Sequence, residues 1–157
     1  MSQISARLTE LGVTVPTVSV PAGAYVPAVV SGSLVYTAGQ LPFVDGALSR
    51  TGKVGEGSDE LVPPAEAKEF ARTAALNALA AVESAIGSLD RVTRIVKVTG
   101  FVASDPSFTG QPGVINGASE FLMEVFGDAG VHARSAVGVA VLPLDSPVEV
   151  EIIAEFA

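Results

Sequence analysis

The spacing of apolar residues along the chain predicts two long amphipathic helices and one short one. Apolar side chains recur every three or four residues over 65–86 and again from about 112 to 126. A shorter stretch at 4–11 has the same spacing, with Ser2 as its N-cap and Gly12 as its end. The expected inward residues of the long helices are Phe70, Ala74, Leu76, Ala78, Leu79, Ala81 and Val82, and then Ile115, Ala118, Leu122 and Val125.

Runs of β-branched and alternating residues predict the strands. The predicted strands are 25–30, 34–38, a short one within 47–54, 92–103, 135–141 and 148–156. The first two form a hairpin around the turn at 31–33. The last alternates almost strictly, so Glu149, Glu151, Ile153 and Glu155 share one face. The stretch 55–64, which is rich in glycine, serine and proline, is either a mobile flap or an ordered connection.

The order of these elements predicts an α+β fold in a single domain, 1–157, with 1–20 as an N-terminal helical extension. Two strand–helix–strand crossovers with right-handed connections force parallel strand pairs and place both long helices on one face of a mixed sheet. No helix is left for the other face, although its strands carry apolar residues. We therefore expect other copies of the chain to cover that face.

Composition and charge exclude several classes of function. The 157 residues include no cysteine and one histidine, His132, which disfavours thiolate chemistry, cysteine-ligated zinc and a Ser-His-Asp triad. With 17 acidic and 9 basic residues the net charge is −8, so a nucleic-acid partner is not expected. Neither a signal peptide nor an apolar run of about 20 residues is present, so we expect a cytoplasmic protein with no membrane partner.

Two residues near the end of the chain could carry chemistry. Arg134 precedes the strand 135–141, and Glu149 follows the start of the strand 148–156. In a hairpin closed by 142–147, these two residues would lie roughly 17–20 Å apart along the ladder, too far to share one small substrate. Either the two strands are not neighbours, or one of the residues comes from another subunit.

Five segments resemble the successive motifs of the YjgF/RidA family of imine deaminases. They are T-A-G-Q-L-P (37–42), V-T-G-F-V-A-S-D-P-S-F (98–108), N-G-A-S-E-F-L (116–122), A-R-S-A-V-G-V (133–139) and V-E-V-E (148–151). The resemblance covers about 25–156. It implies a homotrimer of the kind seen in Bacillus chorismate mutase, with the sheets as an inner barrel, helices outside and pockets between subunits. It also implies that the last strand lies inside the sheet.

The resemblance implies hydrolysis of a 2-imino acid to a 2-oxo acid and ammonia, without a metal or a cofactor. Arg134 would bind the substrate carboxylate, and Glu149 would orient the attacking water. The remaining substrate-binding positions of the family correspond to Tyr25, Gly39, Asn116 and Ala136. Gly39 could equally form a bulge at the end of its strand. Ala38 stands where many members have serine, and His132 where a proline usually precedes the A-R motif.

Other interpretations of the same residues stay open. A non-catalytic trimer that binds small carboxylates would use Arg134 and would not need Glu149. An endoribonuclease would need a basic groove, and an enzyme of the chorismate mutase kind would need a second arginine, for which Arg72, Arg91 and Arg94 are the candidates. Without a ligand, Arg134 could pair with a strand carboxylate such as Glu151, and Glu149 could lie on a solvated strand face.

Overall fold

The computed structural model describes residues 4–157 and is built around a five-stranded mixed sheet. The strands are β1 (Ala28–Ser31), β2 (Leu34–Thr37), β3 (Phe43–Val44), β4 (Ala47–Leu48), β5 (Val92–Ala103), β6 (Ala133–Val139) and β7 (Val148–Phe156). The helices are α1 (Ile4–Glu10), α2 (Pro64–Ile86) and α3 (Gln111–Phe126). The sheet order is β1-β2-β7-β5-β6, and β3 pairs with β4 separately. The predicted α+β class and both long helices are confirmed.

The last strand lies inside the sheet, as the family resemblance implies. β7 is antiparallel to β2 on one side and to β5 on the other, so β5 separates it from β6. A hairpin of β6 with β7 therefore does not form. Of the two expected parallel pairs, β5 with β6 is confirmed, whereas the pair across the first crossover is wrong because β7 occupies the position between β2 and β5.

Both long helices cover the same face of the sheet. The even-numbered residues of β7 from 148 to 154 are fully buried beneath them, together with Val98 of β5. The buried stripe of α2 includes Ala71, Ala74 and Ala78, which have no exposed surface. Because these side chains are small, α2 can lie close to the sheet. No helix of residues 4–157 has the length and apolar character needed to cross a bilayer.

The opposite face carries apolar side chains that no element of the chain covers. Val29, Tyr36 and Val137 are 54%, 40% and 42% exposed there, and Phe101 and Ile153 are only partly buried. This is the shortage of cover that the alternation of apolar residues predicts.

Several element limits differ from the sequence-based expectation. The first strand begins at Ala28 instead of 25, so Tyr25 lies in an irregular segment. The strand expected within 47–54 is only β4, a hairpin with β3 across Asp45 and Gly46, whose φ angles of 51° and 80° suit a tight turn. β6 covers 133–139 instead of 135–141 because its parallel partner β5 ends at Ala103, opposite Val139.

The remaining segments are held to the domain by hydrogen bonds. Arg50 donates to the Glu66 carboxylate at 2.7 Å and to the Leu61 carbonyl at 2.9 Å, so 55–64 is an ordered connection. In α1, Ile4 and Leu8 are buried and Ser5 Oγ donates to Asp90 at 2.8 Å, which confirms the short N-terminal helix. The expected N-cap, Ser2, lies outside the described residues.

We predict opposite effects for the same substitution at two glycines of α3. A Cβ at Gly117 would overlap the Lys68 carbonyl oxygen of α2, whereas a Cβ at Gly113 would meet nothing within 4 Å. Gly117→Ala should lower the free energy of unfolding by about 1–3 kcal/mol because the two helices must separate. Gly113→Ala should leave it unchanged or raise it by up to about 1 kcal/mol. Urea denaturation measures both, and equal effects would contradict this account of the helix contact.

Candidate functional site

The predicted site residues form two groups on opposite faces of the sheet. Arg134 of β6 pairs with Val98 of β5, whereas Glu149 of β7 pairs with Phe101 of β5. Positions 98 and 101 are three residues apart in a regular strand, so their neighbours point in opposite directions. Arg134 therefore lies on the helix side and Glu149 on the uncovered side. One chain alone does not bring both residues to one small ligand.

Arg134 is held by neutral oxygens at the amino-terminal half of α3. Its Nη1 donates to Asn116 Oδ1 at 2.8 Å and to Ser119 Oγ at 3.1 Å, and its Nη2 donates to the Pro112 carbonyl at 3.3 Å. Among residues 4–157 no carboxylate pairs with it. Pairing with Glu151 does not occur within the chain, because Glu151 lies on the other face. The guanidinium keeps an uncompensated positive charge.

Ala136 lies two residues beyond Arg134 on the same face of β6. It is partly buried against the hydrophobic core and sits opposite Gly100 of β5. A Cβ at Gly100 would come within 2.5 Å of Ile115, so this glycine allows α3 to lie close to the sheet. The structure thus groups Arg134, Asn116 and Ala136.

Sequence reasoning missed the residues that complete the arginine group. Ser119, 7% exposed, hydrogen-bonds through Oγ to His132 Nε2 at 2.9 Å, and His132 Nδ1 lies 2.6 Å from the Gly130 carbonyl oxygen. A small pocket of about 220 Å³ opens beside Ser119, His132 and Arg134. Two signals in the sequence could have found them: Asn116 and Ser119 are three residues apart on one helix, and His132 precedes Arg134 by two.

Glu149 forms the second group with Tyr25 and Gly39. The three residues line a pocket of about 300 Å³, whose other walls include Val20 and Leu144. A Cβ at Gly39 would overlap the Glu149 carboxylate, so the glycine is needed for close approach and not for a bulge alone. Backbone hydrogen bonds of 2.8 and 3.0 Å between Gln40 and Val150 fix that approach.

The Glu149 carboxyl is half-buried and has no hydrogen-bond donor within the described chain. Burial raises the pKa of Glu149 above its usual value, and the nearby Glu151 raises it further. This environment differs from the solvated strand face considered from sequence. A carboxylate with a raised pKa is a stronger base than an exposed one, so Glu149 is suited to accept a proton.

Comparisons with known proteins relate the whole chain to one family. The family model described as "YjgF/chorismate mutase-like, putative endoribonuclease" matches residues 5–156. Protein TCP17 of Trypanosoma cruzi is 42% identical over 154 residues, which cover 98% of this chain and 94% of that protein.

Solved structures give the same relationship. The protein Atu1372 of Agrobacterium tumefaciens, of unknown function, is 44% identical with a TM-score of 0.88 over 98% of this chain and 92% of that one. A "putative endoribonuclease" of Shewanella oneidensis is 34% identical with a TM-score of 0.91, covering 98% and 99% of the two chains. A more distant structure, E. coli TdcF with bound serine, is 27% identical with a TM-score of 0.62 over 91% and 94%.

The family match extends over nearly the whole chain, and the solved relatives include E. coli YjgF itself, 30% identical over 88% of this chain and 93% of that one with a TM-score of 0.63. The mixed sheet with α2 and α3 on one face is the fold that these structures share with this one. The chain therefore belongs to the YjgF/RidA family.

Proposed function

We propose that this protein hydrolyses 2-imino acids to 2-oxo acids and ammonia in clefts between copies of the chain. The observation that carries the proposal is the state of Arg134: it is held in place by three neutral oxygens and lacks a carboxylate partner in the described chain. A substrate carboxylate would neutralise the positive charge of Arg134, and each charge-assisted hydrogen bond between them would contribute roughly 1.5–3 kcal/mol.

The second requirement of imine hydrolysis is a base beside the electrophilic carbon. Water attacks the C=N carbon and gives a proton to Glu149, which returns it to the imine nitrogen, so that a tetrahedral carbinolamine forms. Glu149 then accepts the hydroxyl proton of the carbinolamine and passes it to the amino nitrogen as the C–N bond breaks. The products are a 2-oxo acid and ammonia, and the Glu149 carboxylate is regenerated. The raised pKa of Glu149 favours the first proton transfer, and such a step typically contributes about 10²–10⁴ in rate.

The separation of the two groups within one chain supports a site shared between copies. Arg134 lies on β6, at one edge of the sheet, and β1 is at the other edge. In a closed ring of chains, the β6 edge of one copy would face the Glu149 side of the next. Such an arrangement would also cover the exposed apolar side chains Val29, Tyr36 and Val137.

A non-catalytic protein that binds small carboxylates is the second candidate. The relative TdcF with bound serine favours it, because serine carries a carboxylate of the kind that Arg134 would hold. This candidate needs no role for Glu149.

Two further candidates have less support in this chain. The net charge of −8 opposes binding of an RNA backbone, although relatives are named as endoribonucleases. A chorismate mutase would need a second arginine near Arg134. Arg72 instead pairs with Glu124 at 2.8 Å, Arg91 donates to the Ile86 and Ala157 carbonyls, and Arg94 lies level with Glu155 at the far end of β7.

The first prediction from this proposal is that the chain forms a homotrimer. Sedimentation velocity of dilute protein at neutral pH should give three times the chain mass of 15.9 kDa. Val137→Glu, on the exposed face, should shift the sedimenting mass toward monomer. A stable monomer of the unaltered chain would rule out a site shared between copies.

The second prediction separates the enzyme from the binding protein. Arg134→Lys should weaken binding and turnover at least tenfold, because an ammonium cannot reproduce a planar two-bond contact with a carboxylate. Glu149→Gln should lower turnover by about 10²-fold or more while a stable 2-oxo acid still binds. The measurement is the lifetime of imines generated in situ from several amino acids. Arg94→Lys and Glu155→Gln serve as matched strand controls and should not change it.

If every variant, the unaltered protein and buffer alone give the same imine lifetimes, the enzyme is excluded. Retention of carboxylate binding by the unaltered protein would then leave the non-catalytic candidate.

The third prediction concerns stability and pH. Because the pKa of Glu149 is raised in the folded chain, the folded state binds the proton more tightly than the unfolded state does. The contribution of Glu149 to the free energy of unfolding therefore falls as the pH rises from its pKa in the unfolded chain, about 4.3, through its higher pKa in the folded chain. Glu149→Gln should accordingly be more stable than the unaltered protein at pH 7, and the difference should shrink toward pH 4. Urea denaturation at fixed chain concentration measures it, and a variant that is less stable at pH 7 would contradict the inferred environment.

A further inference from the structure

We infer that Ser119 and His132 position Arg134 for the substrate carboxylate, an inference that rests on the proposed function. The three side chains form a chain of hydrogen bonds from the Gly130 carbonyl through the imidazole and the hydroxyl to the guanidinium. In the proposed reaction neither Ser119 nor His132 touches the reacting atoms. Both are therefore positioning residues.

The Gly130 carbonyl determines the direction of every bond in this chain. A carbonyl oxygen only accepts, so His132 Nδ1, at 2.6 Å, must carry the hydrogen. In the neutral ring Nε2 then has a lone pair and accepts the hydroxyl hydrogen of Ser119, at 2.9 Å. With its hydrogen directed at His132, Ser119 presents lone pairs to Arg134 Nη1 at 3.1 Å. The imidazole thus keeps the hydroxyl in the orientation in which it accepts from arginine.

This hydrogen-bond chain leaves part of the guanidinium available for a ligand. A guanidinium has five N–H donors. Nη1 uses its two on Asn116 and Ser119, and Nη2 uses one on Pro112. The Nε–H and one Nη2–H have no acceptor within residues 4–157. Two donors on a fixed plane are what a carboxylate needs for a two-bond contact.

Neutral acceptors suit this task better than an acidic partner would. A free arginine side chain samples many rotamers, and binding would otherwise have to overcome the entropy lost when it is held in one of them. A carboxylate from the same chain could also hold Arg134 still, but it would cancel the charge that attracts the substrate. Hydroxyl, amide and carbonyl oxygens fix the plane and leave the charge in place.

The same pair does not form a site for nucleophilic catalysis by Ser119. Attack on an ester would need donors for the developing oxyanion, commonly backbone N–H groups. Ser119 lies inside α3, where the backbone N–H groups are already used in the helix. The geometry therefore assigns the hydroxyl to Arg134.

The hydrogen-bond directions can be tested without any ligand. His132 is the only histidine of the chain, so protein labelled with ¹⁵N-histidine gives one pair of ring nitrogen signals. At pH 8 we expect a protonated Nδ1, because the Gly130 carbonyl can only accept, and an unprotonated Nε2 facing Ser119. Ser119→Ala should move the Nε2 signal more than the Nδ1 signal. The opposite tautomer would overturn the inference.

The effect on Arg134 can be tested with 2-oxobutanoate, a stable 2-oxo acid. Ser119→Ala and His132→Phe should each weaken its binding by roughly tenfold, the usual effect of losing a charge-assisted hydrogen bond. In the imine assay, KM should rise more than kcat falls. The double variant should bind no more weakly than Ser119→Ala alone, because His132 acts only through Ser119. His132→Gln, which keeps an acceptor for the hydroxyl, should restore much of the loss.

The outcomes distinguish this inference from the proposed function. If the unaltered protein shortens imine lifetimes and binds 2-oxobutanoate, but the variants bind it equally well or the two losses add independently, the positioning role is overturned and the proposed function stands. If the unaltered protein neither binds 2-oxobutanoate nor shortens imine lifetimes, the proposed function fails and the positioning role for a substrate fails with it. Circular dichroism of each variant establishes that the compared proteins are folded.

Discussion

The position of β7 between β2 and β5 is the constraint on which the rest of the structure depends. Its even-numbered residues complete the core beneath α2 and α3, and its odd-numbered residues, including Glu149, project from the other face. Because side chains alternate along a strand, neither set can move without the other. The same strand therefore closes the hydrophobic core and fixes the acidic half of the candidate site.

Each half of the candidate site contains a charged group without a partner: a cation that has no carboxylate and a carboxylate that has no hydrogen-bond donor within the described residues. Arg134 has hydrogen bonds but no opposite charge among residues 4–157, and Glu149 is half-buried, next to Glu151, without a donor. Burial of an unpaired charge costs free energy. A substrate with a carboxylate for Arg134 and a water held at Glu149 would lower that cost in both places, which is why the proposed reaction uses both residues.

Much of this arrangement could be predicted from residue patterns, and the exceptions have physical causes. The alanine stripe of α2 and the alternation of β7 determine which faces are buried, so the helices and the long strands were predictable. The location of β7 was not predictable from the hairpin rule, because pairing on both edges is a tertiary property; the family motifs supplied it. The roles of Ser119 and His132 depend on a contact between α3 and the segment just before β6, 13 residues apart in the chain. Local spacing makes both residues candidates, but their contact with each other is a tertiary property.

Glycines illustrate the same limit at single residues. Gly39 and Gly117 look alike in the sequence, yet one makes room for a carboxylate on the uncovered face and the other for a carbonyl between two helices. Their difference follows from Glu149 of β7, which approaches Gly39, and from Lys68 of α2, which approaches Gly117; each is distant from its glycine in the sequence and adjacent to it in space. Each half of the candidate site is thus built on the core of its own chain. Under the proposed arrangement, association brings together two groups that are already formed, so activity should follow the association of the copies rather than the folding of each one.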